Sequence, residues 1–151
     1  MKNFNILILM IFFLTSCGGG SSSNKEVSEE DSNDQQANEQ PAIGENGIGP
    51  ITLVTLTEID PEMAKAGQSL FETYCVTCHK VEEKYIGPAM AGIINRRTPE
   101  WIMNMILNPQ EMTEKDPIAK ELLVEYNNVP MVGQGITEEQ ARQILEYFRT
   151  L

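Results

Sequence analysis

Two thiols and an imidazole stand together at Cys75-Val76-Thr77-Cys78-His79. Side chains of these types at this spacing suit three kinds of chemistry. They could exchange thiol for disulfide, supply half of a tetrahedral zinc site, or anchor a haem whose iron the histidine binds. The rest of the chain holds no other histidine, and its one further cysteine is Cys17. A structural zinc site closes with four Cys or His ligands, usually as two separated pairs, and no second pair is on offer. A redox dithiol belongs at a strand-to-helix junction of an α/β fold, and no segment here alternates like a strand. A plain disulfide across two residues is the least specific use of the motif. Haem attachment accounts for both cysteines and the histidine: two thiols on one helical turn can add to neighbouring vinyl groups of a porphyrin, and the next residue carries its imidazole beneath the ring. One covalent haem c is the expected cofactor.

Because His79 is the sole histidine, counting rules out bis-histidine ligation within one chain, and likewise a second histidine-ligated haem. The sixth iron position falls to methionine, to a less usual ligand such as lysine, or to water. Past residue 17 the methionines are Met63, Met90, Met103, Met105, Met112 and Met131. Methionine is above all a flexible core filler. Met63 precedes the motif on its own helix, and Met103 and Met105 sit mid-helix, where packing suits them. Met131 differs: it follows Pro130 in the irregular stretch "YNNVPMVGQGI", just before the C-terminal helix. Met131 is the expected distal ligand, with Met112 second.

The elements that must position these groups are helices. Asp60-Pro61-Glu62 combines an N-cap acid, a first-turn proline and an acid near the positive end of the dipole, and it opens "EMAKAGQSLFETYC". Thr98-Pro99-Glu100 repeats the signal before "WIMNMIL", which stops at Asn108-Pro109. A short helix is expected over "DPIAKELLVEY". Thr137 and Gln140 form a capping box opening the last helix, with Ala141, Ile144, Leu145 and Phe148 on one face. The expectation is an all-α domain of about four helices over residues 59–151, around one haem.

Ahead of it the character changes. Lys2 and the apolar run Ile6 to Leu14 read as an export signal, too short to span a bilayer. The run ends Leu14-Thr15-Ser16-Cys17, which resembles the lipobox of bacterial lipoproteins; an ordinary secretory signal that happens to contain a cysteine is the alternative. The expected processing removes 1–16 and leaves a lipidated Cys17, each buried methylene adding about 0.8 kcal/mol of membrane affinity. Residues 17–58 read as a flexible tether. Its Gly-, Ser-, Asn- and acid-rich sequence has little to bury and spans about 35 Å root-mean-square. "ITLVTLTEI" at its end is more apolar, a candidate extended strap. The net charge of -11 leaves nothing to neutralise a run of phosphates, so nucleic acid is not an expected partner.

From 60 to 151 the chain resembles class I c-type cytochromes. Gly67, Phe71 and the Cys75-x-x-Cys78-His79 motif are similar to the family's first helix running into its haem site. The resemblance implies that Gly67 lets the last helix cross closely and that Ile144 and Tyr147 are the partners there. "YIGPAM" is similar to the family's Gly-Pro-x-Leu segment, with Met90 in the leucine place. It implies that the Pro88 carbonyl holds the second nitrogen of His79, fixing its tautomer. It also supports Met131, since the family presents its axial methionine from such a loop. The region between Pro109 and Met131 is longer than in the smallest members.

The resemblance implies a monomeric, non-enzymatic electron carrier, exported and lipid-held on a membrane facing the periplasm, working between a redox-protein donor and acceptor. Two other classes are carried beside it: a haem sensor or small haem enzyme with a labile sixth site, and a fixed electron-entry subunit of a larger reductase or oxidase.

Overall fold

The computed structural model describes residues 45–151; the expected signal peptide, Cys17 and most of the tether lie outside the described residues. Within them are five α-helices and one 3₁₀ turn: α1 Pro61–Tyr74, the turn Ile93–Asn95, α2 Pro99–Leu107, α3 Pro109–Lys115, α4 Pro117–Glu125 and α5 Glu138–Phe148. None is long and apolar enough to cross a membrane.

The helix starts follow the local chemistry. Proline opens each of α1 to α4, where its missing N–H is no loss. Asp60, Thr98 and Asp116 cap α1, α2 and α4 by accepting from free backbone N–H groups. Thr137 and Gln140 satisfy each other's backbone in a complete capping box at α5. The stop expected at Asn108-Pro109 is where α2 ends, with Asn108 as its C-cap, but Pro109 starts α3 at once, so the inserted region builds one helix more than the pattern suggested. Asn127 and Asn128 both take left-handed backbone (φ 59° and 57°), ending α4 and sending the chain into the loop that carries Met131.

The principal packing is α1 against α5. A Cβ on Gly67 would overlap the Gln143 carbonyl and crowd the Ile144 N–H, so only glycine permits this crossing. The Phe71 ring lies 5.7 Å from those of both Tyr147 and Phe148, edge-on to the latter. Ile144, Leu145, Ala141 and Phe148 are buried, as the periodicity of α5 requires.

Residues assigned to the tether by composition are also part of the folded body. The stretch from 45 to 58 runs along α2, bending at 45–46 and 48–50 before an irregular segment free of bends over 51–57, with Ile51 buried. Its partners are polar side chains four residues apart on α2. Glu100 accepts from the Val54 N–H at 2.7 Å. Asn104 accepts from the Ile51 N–H and donates to the carbonyls of Ile51 and Asn46. Asn108 donates to the Ile48 carbonyl at 3.5 Å. The folded body therefore includes residues 45–58 ahead of the expected boundary at 59, because side chains of α2 and of Asn108 satisfy backbone groups that would otherwise lack partners.

Candidate functional site

α1 ends at the motif. Cys75 closes the helix with its N–H on the Phe71 carbonyl, and the N–H groups of Cys78 and His79 both bond the Cys75 carbonyl. One further turn thus puts both thiols and the imidazole at a single helix end. No disulfide joins Cys75 to Cys78; before attachment, burial, and secondarily the neighbouring Cys78, pushes the Cys75 thiol up to about 11.

The imidazole is fixed from behind. His79 Nδ1 donates to the Pro88 carbonyl at 3.0 Å. A Cβ on Gly87 would come within 2.5 Å of the ring, so glycine is required for the chain to pass. Burial lowers the His79 pKa, opposed by the bond to Pro88, which favours a neutral ring with Nε2 available as a ligand atom.

Cys75, Cys78, His79, Pro88 and Met131 all line one apolar cleft, whose empty space is about 1350 Å³ counting its open mouth. Met90 and Met105 also line it. Met112 does not: it is fully buried, and its Sδ accepts from the Ile48 N–H at 2.9 Å, which ties it to the strap. Met103 is buried beside the strap. Among the methionines considered as ligands, the cleft and the irregular loop coincide at Met131. Among the described residues no three His, Cys, Asp or Glu side chains gather as a metal site of the zinc type.

A haem also carries carboxylates, and the cleft has a group suited to them. Arg97 lines the cleft, its guanidinium stands 5.3 Å over the Trp101 ring, and its Nε is buried with no hydrogen-bond partner. Arg97 itself is half-buried and its Nη1 donates to the Arg96 carbonyl, but the buried Nε–H is costly unless an acceptor such as a carboxylate completes it. Thiols at one lip, a neutral imidazole, apolar walls and an arginine with no acid partner together fit a porphyrin with acidic side chains. Sequence reasoning missed Arg97, since the pair Arg96-Arg97 looks like ordinary solvated charge; its half-buried place at the cleft comes from its N–H bond to the Ile93 carbonyl and from the Trp101 ring beneath its guanidinium. Arg96 instead bonds the carbonyls of Ala89 and Ala91, bracing the segment that holds Pro88.

Residues 64–151 match the family model described as Cytochrome c. A solved cytochrome c from Rhodothermus marinus is 46% identical with a TM-score of 0.66, over 68% of this chain and 88% of that one. Cytochrome c2 of Rhodopseudomonas palustris is 41% identical over 34 residues, 22% of this chain and 24% of that protein. A cytochrome c-553-like protein of Synechocystis is 29% identical over 62 residues, 39% of this chain and 59% of that protein. The chain thus spans about a quarter and about three fifths of the two curated relatives.

Proposed function

Because the chain belongs to the cytochrome c family and so carries one covalently attached haem c, we propose that it is a membrane-tethered electron carrier with His79 and Met131 as axial ligands. Haem supplies a one-electron couple at iron. The residues do the rest: Cys75 and Cys78 hold the group by thioether bonds, the Pro88 carbonyl orients His79, and Arg97 receives a propionate. A thioether opposite an imidazole raises the potential relative to more strongly donating pairs and leaves no open position for a substrate. That is the basis for reading a carrier rather than an enzyme.

The observation that carries this reading is the convergence of Met131 and the Cys-x-x-Cys-His end of α1 on one cleft, though 52 positions separate His79 from Met131 in the sequence. Export and anchoring rest on the signal segment and Cys17. Lipid at Cys17 would keep the domain at high effective concentration beside periplasm-facing redox partners. A Cys17→Ala chain should be recovered in the soluble fraction after a salt wash; retention on membranes would refute the anchor.

The ligand assignment is tested by the weak far-red band of thioether-ligated ferric haem. It should be present in the native protein and absent in Met131→Ala, whose ferrous form should bind carbon monoxide. A native protein without the band, or a variant that keeps it, overturns Met131. Native carbon monoxide binding would favour the second reading, a labile sixth site. The sparsely hydrogen-bonded backbone from Pro130 to Ile136 is the observation on its side.

A further inference from the structure

One buried acid lies outside the haem site. Asp116 is fully buried at the start of α4, within the inserted region between Pro109 and Met131. Its Oδ1 accepts from the Ala119 N–H at 2.8 Å and from the Trp101 indole N–H at 3.2 Å. Its Oδ2 is buried and has no hydrogen-bond partner. Among the described residues no cation pairs with it: of its lysine neighbours in sequence, Lys115 is bonded to Glu111 and Lys120 is exposed. Trp101 and Ala119, the two residues that donate to it, both line the haem cleft. The carboxyl therefore sits one side chain behind the cleft wall.

Capping alone does not call for an acid here. Serine, threonine or asparagine would accept from Ala119 as well, and asparagine would also accept from the indole. A buried carboxylate with an unmatched oxygen costs stability that those residues would not. What the acid adds is charge. Both of its bonds are accepted, and it lies at the positive end of α4, surroundings suited to a carboxylate.

We infer that Asp116 is a potential-setting charge, a fixed carboxylate behind Trp101 that favours ferric over ferrous iron and holds the reduction potential down. The inference rests on haem in the cleft and not on the identity of the sixth ligand. Reduction brings one electron to iron and removes one positive charge from the haem, so a negative charge nearby loses an attraction at that step. A unit charge about 10 Å away, at an effective dielectric of about 20, shifts such an equilibrium by roughly ten- to twentyfold. Salt and water would screen a surface charge, but Asp116 is sealed from both. Arg97, 5.3 Å over the same indole, is matched by the propionate it receives and does not cancel Asp116. Thioether ligation pushes the potential up. Asp116 pulls against it, and the inserted region has a role as the element that carries the charge.

The test is a mediator titration of full-length holoprotein at one neutral pH and one ionic strength, for the native chain, Asp116→Asn, Asp116→Ser and Glu114→Gln. Asparagine keeps both accepted bonds and drops the charge. Its ferric-to-ferrous ratio at a fixed ambient potential should fall roughly tenfold, a rise of about 59 mV for a one-electron couple. Serine keeps only the α4 cap, and its potential should rise as far. Glu114→Gln removes an exposed charge from α3 and should shift the ratio less than about twofold. Trp101 is the sole tryptophan, so its indole N–H gives a single NMR signal in the reduced protein. That signal should stay slow to exchange in Asp116→Asn and become fast in Asp116→Ser. An unchanged potential in Asp116→Asn, or a shift no larger than that of Glu114→Gln, overturns the inference. A rise in Asp116→Ser alone would mean that the acid acts only by placing the indole, and overturns it as well. So does a fall in the potential, which would mean that water has entered behind the wall and stabilised ferric haem. The far-red band reports the sixth ligand in the same samples, so a wrong Met131 and a wrong Asp116 are read apart.

Discussion

α2 is gripped by opposite chemistries on its two sides. Toward the cleft it presents Trp101, Ile102, Met105 and Ile106, apolar side chains that wall a cofactor site. Toward the strap it presents Glu100, Asn104 and Asn108, whose polar atoms bind the backbone of residues 46–54. The cleft side depends on shape and on a covalent group; the strap side depends on directed hydrogen bonds in a largely buried seam. Damage to the first should change spectra and potentials, and damage to the second should change stability.

The largest loss is expected where the strap meets α1 and α5. Glu146 is fully buried, accepts from the Asp60 N–H, and is paired with Arg142 and Arg149, while Arg149 also donates to the Thr57 carbonyl. Burial alone would raise its pKa, but bonds from Arg142, the Asp60 N–H and Arg149 hold the carboxyl below the usual value. A depressed folded pKa gives stability that is complete above the usual carboxylate range and drains away as pH falls through the lower folded value. Glu146→Gln should lower stability by about 3 kcal/mol at neutral pH. In denaturant melts across the acid range it should also flatten the pH dependence. A variant that loses stability but keeps the native acid slope would place the titration elsewhere.

Asn104→Ala comes next. It removes three bonds to the strap at a site 1% exposed, and about 2 kcal/mol should be lost in the same melts. The haem spectrum should stay native, and faster proteolysis ahead of residue 60 should report the loosened strap. A changed axial band would mean that the two sides of α2 are coupled.

Gly87→Ala is the converse and the smallest in stability, at roughly 1 kcal/mol. Its Cβ presses on the His79 ring, so the reduction potential and the axial band should shift while the melt hardly moves. An unaltered potential would show that the imidazole relaxes without consequence.

How far these sides could be foreseen differs for a physical reason. The haem end of α1 was legible because covalent chemistry fixes residue types and spacing: two thiols and an imidazole tolerate no substitutes. The helix starts were legible because caps and first-turn prolines act within a few residues. The strap was legible only in part: the apolar run from Ile51 to Ile59 marked it as a candidate, but residues 45–50 resemble linker and the bonds that hold it come from α2, some fifty positions away. The four-residue recurrence of Glu100, Asn104 and Asn108 was the available signal, half hidden in an apolar helix. Arg97 was invisible for a similar reason: nothing local distinguishes an arginine turned into a cleft from a solvated one.

Residue identity alone therefore established the cofactor, the proximal histidine, the impossibility of a second one, and the all-helical class, because bonding valence and local backbone sterics need no partner from afar. The fold decided which methionines face the cleft and which one the strap takes, and that residues 45–58 pack on α2. Each of those depends on groups distant in sequence meeting across a packed interior, and burial of that kind exists only once the chain has folded.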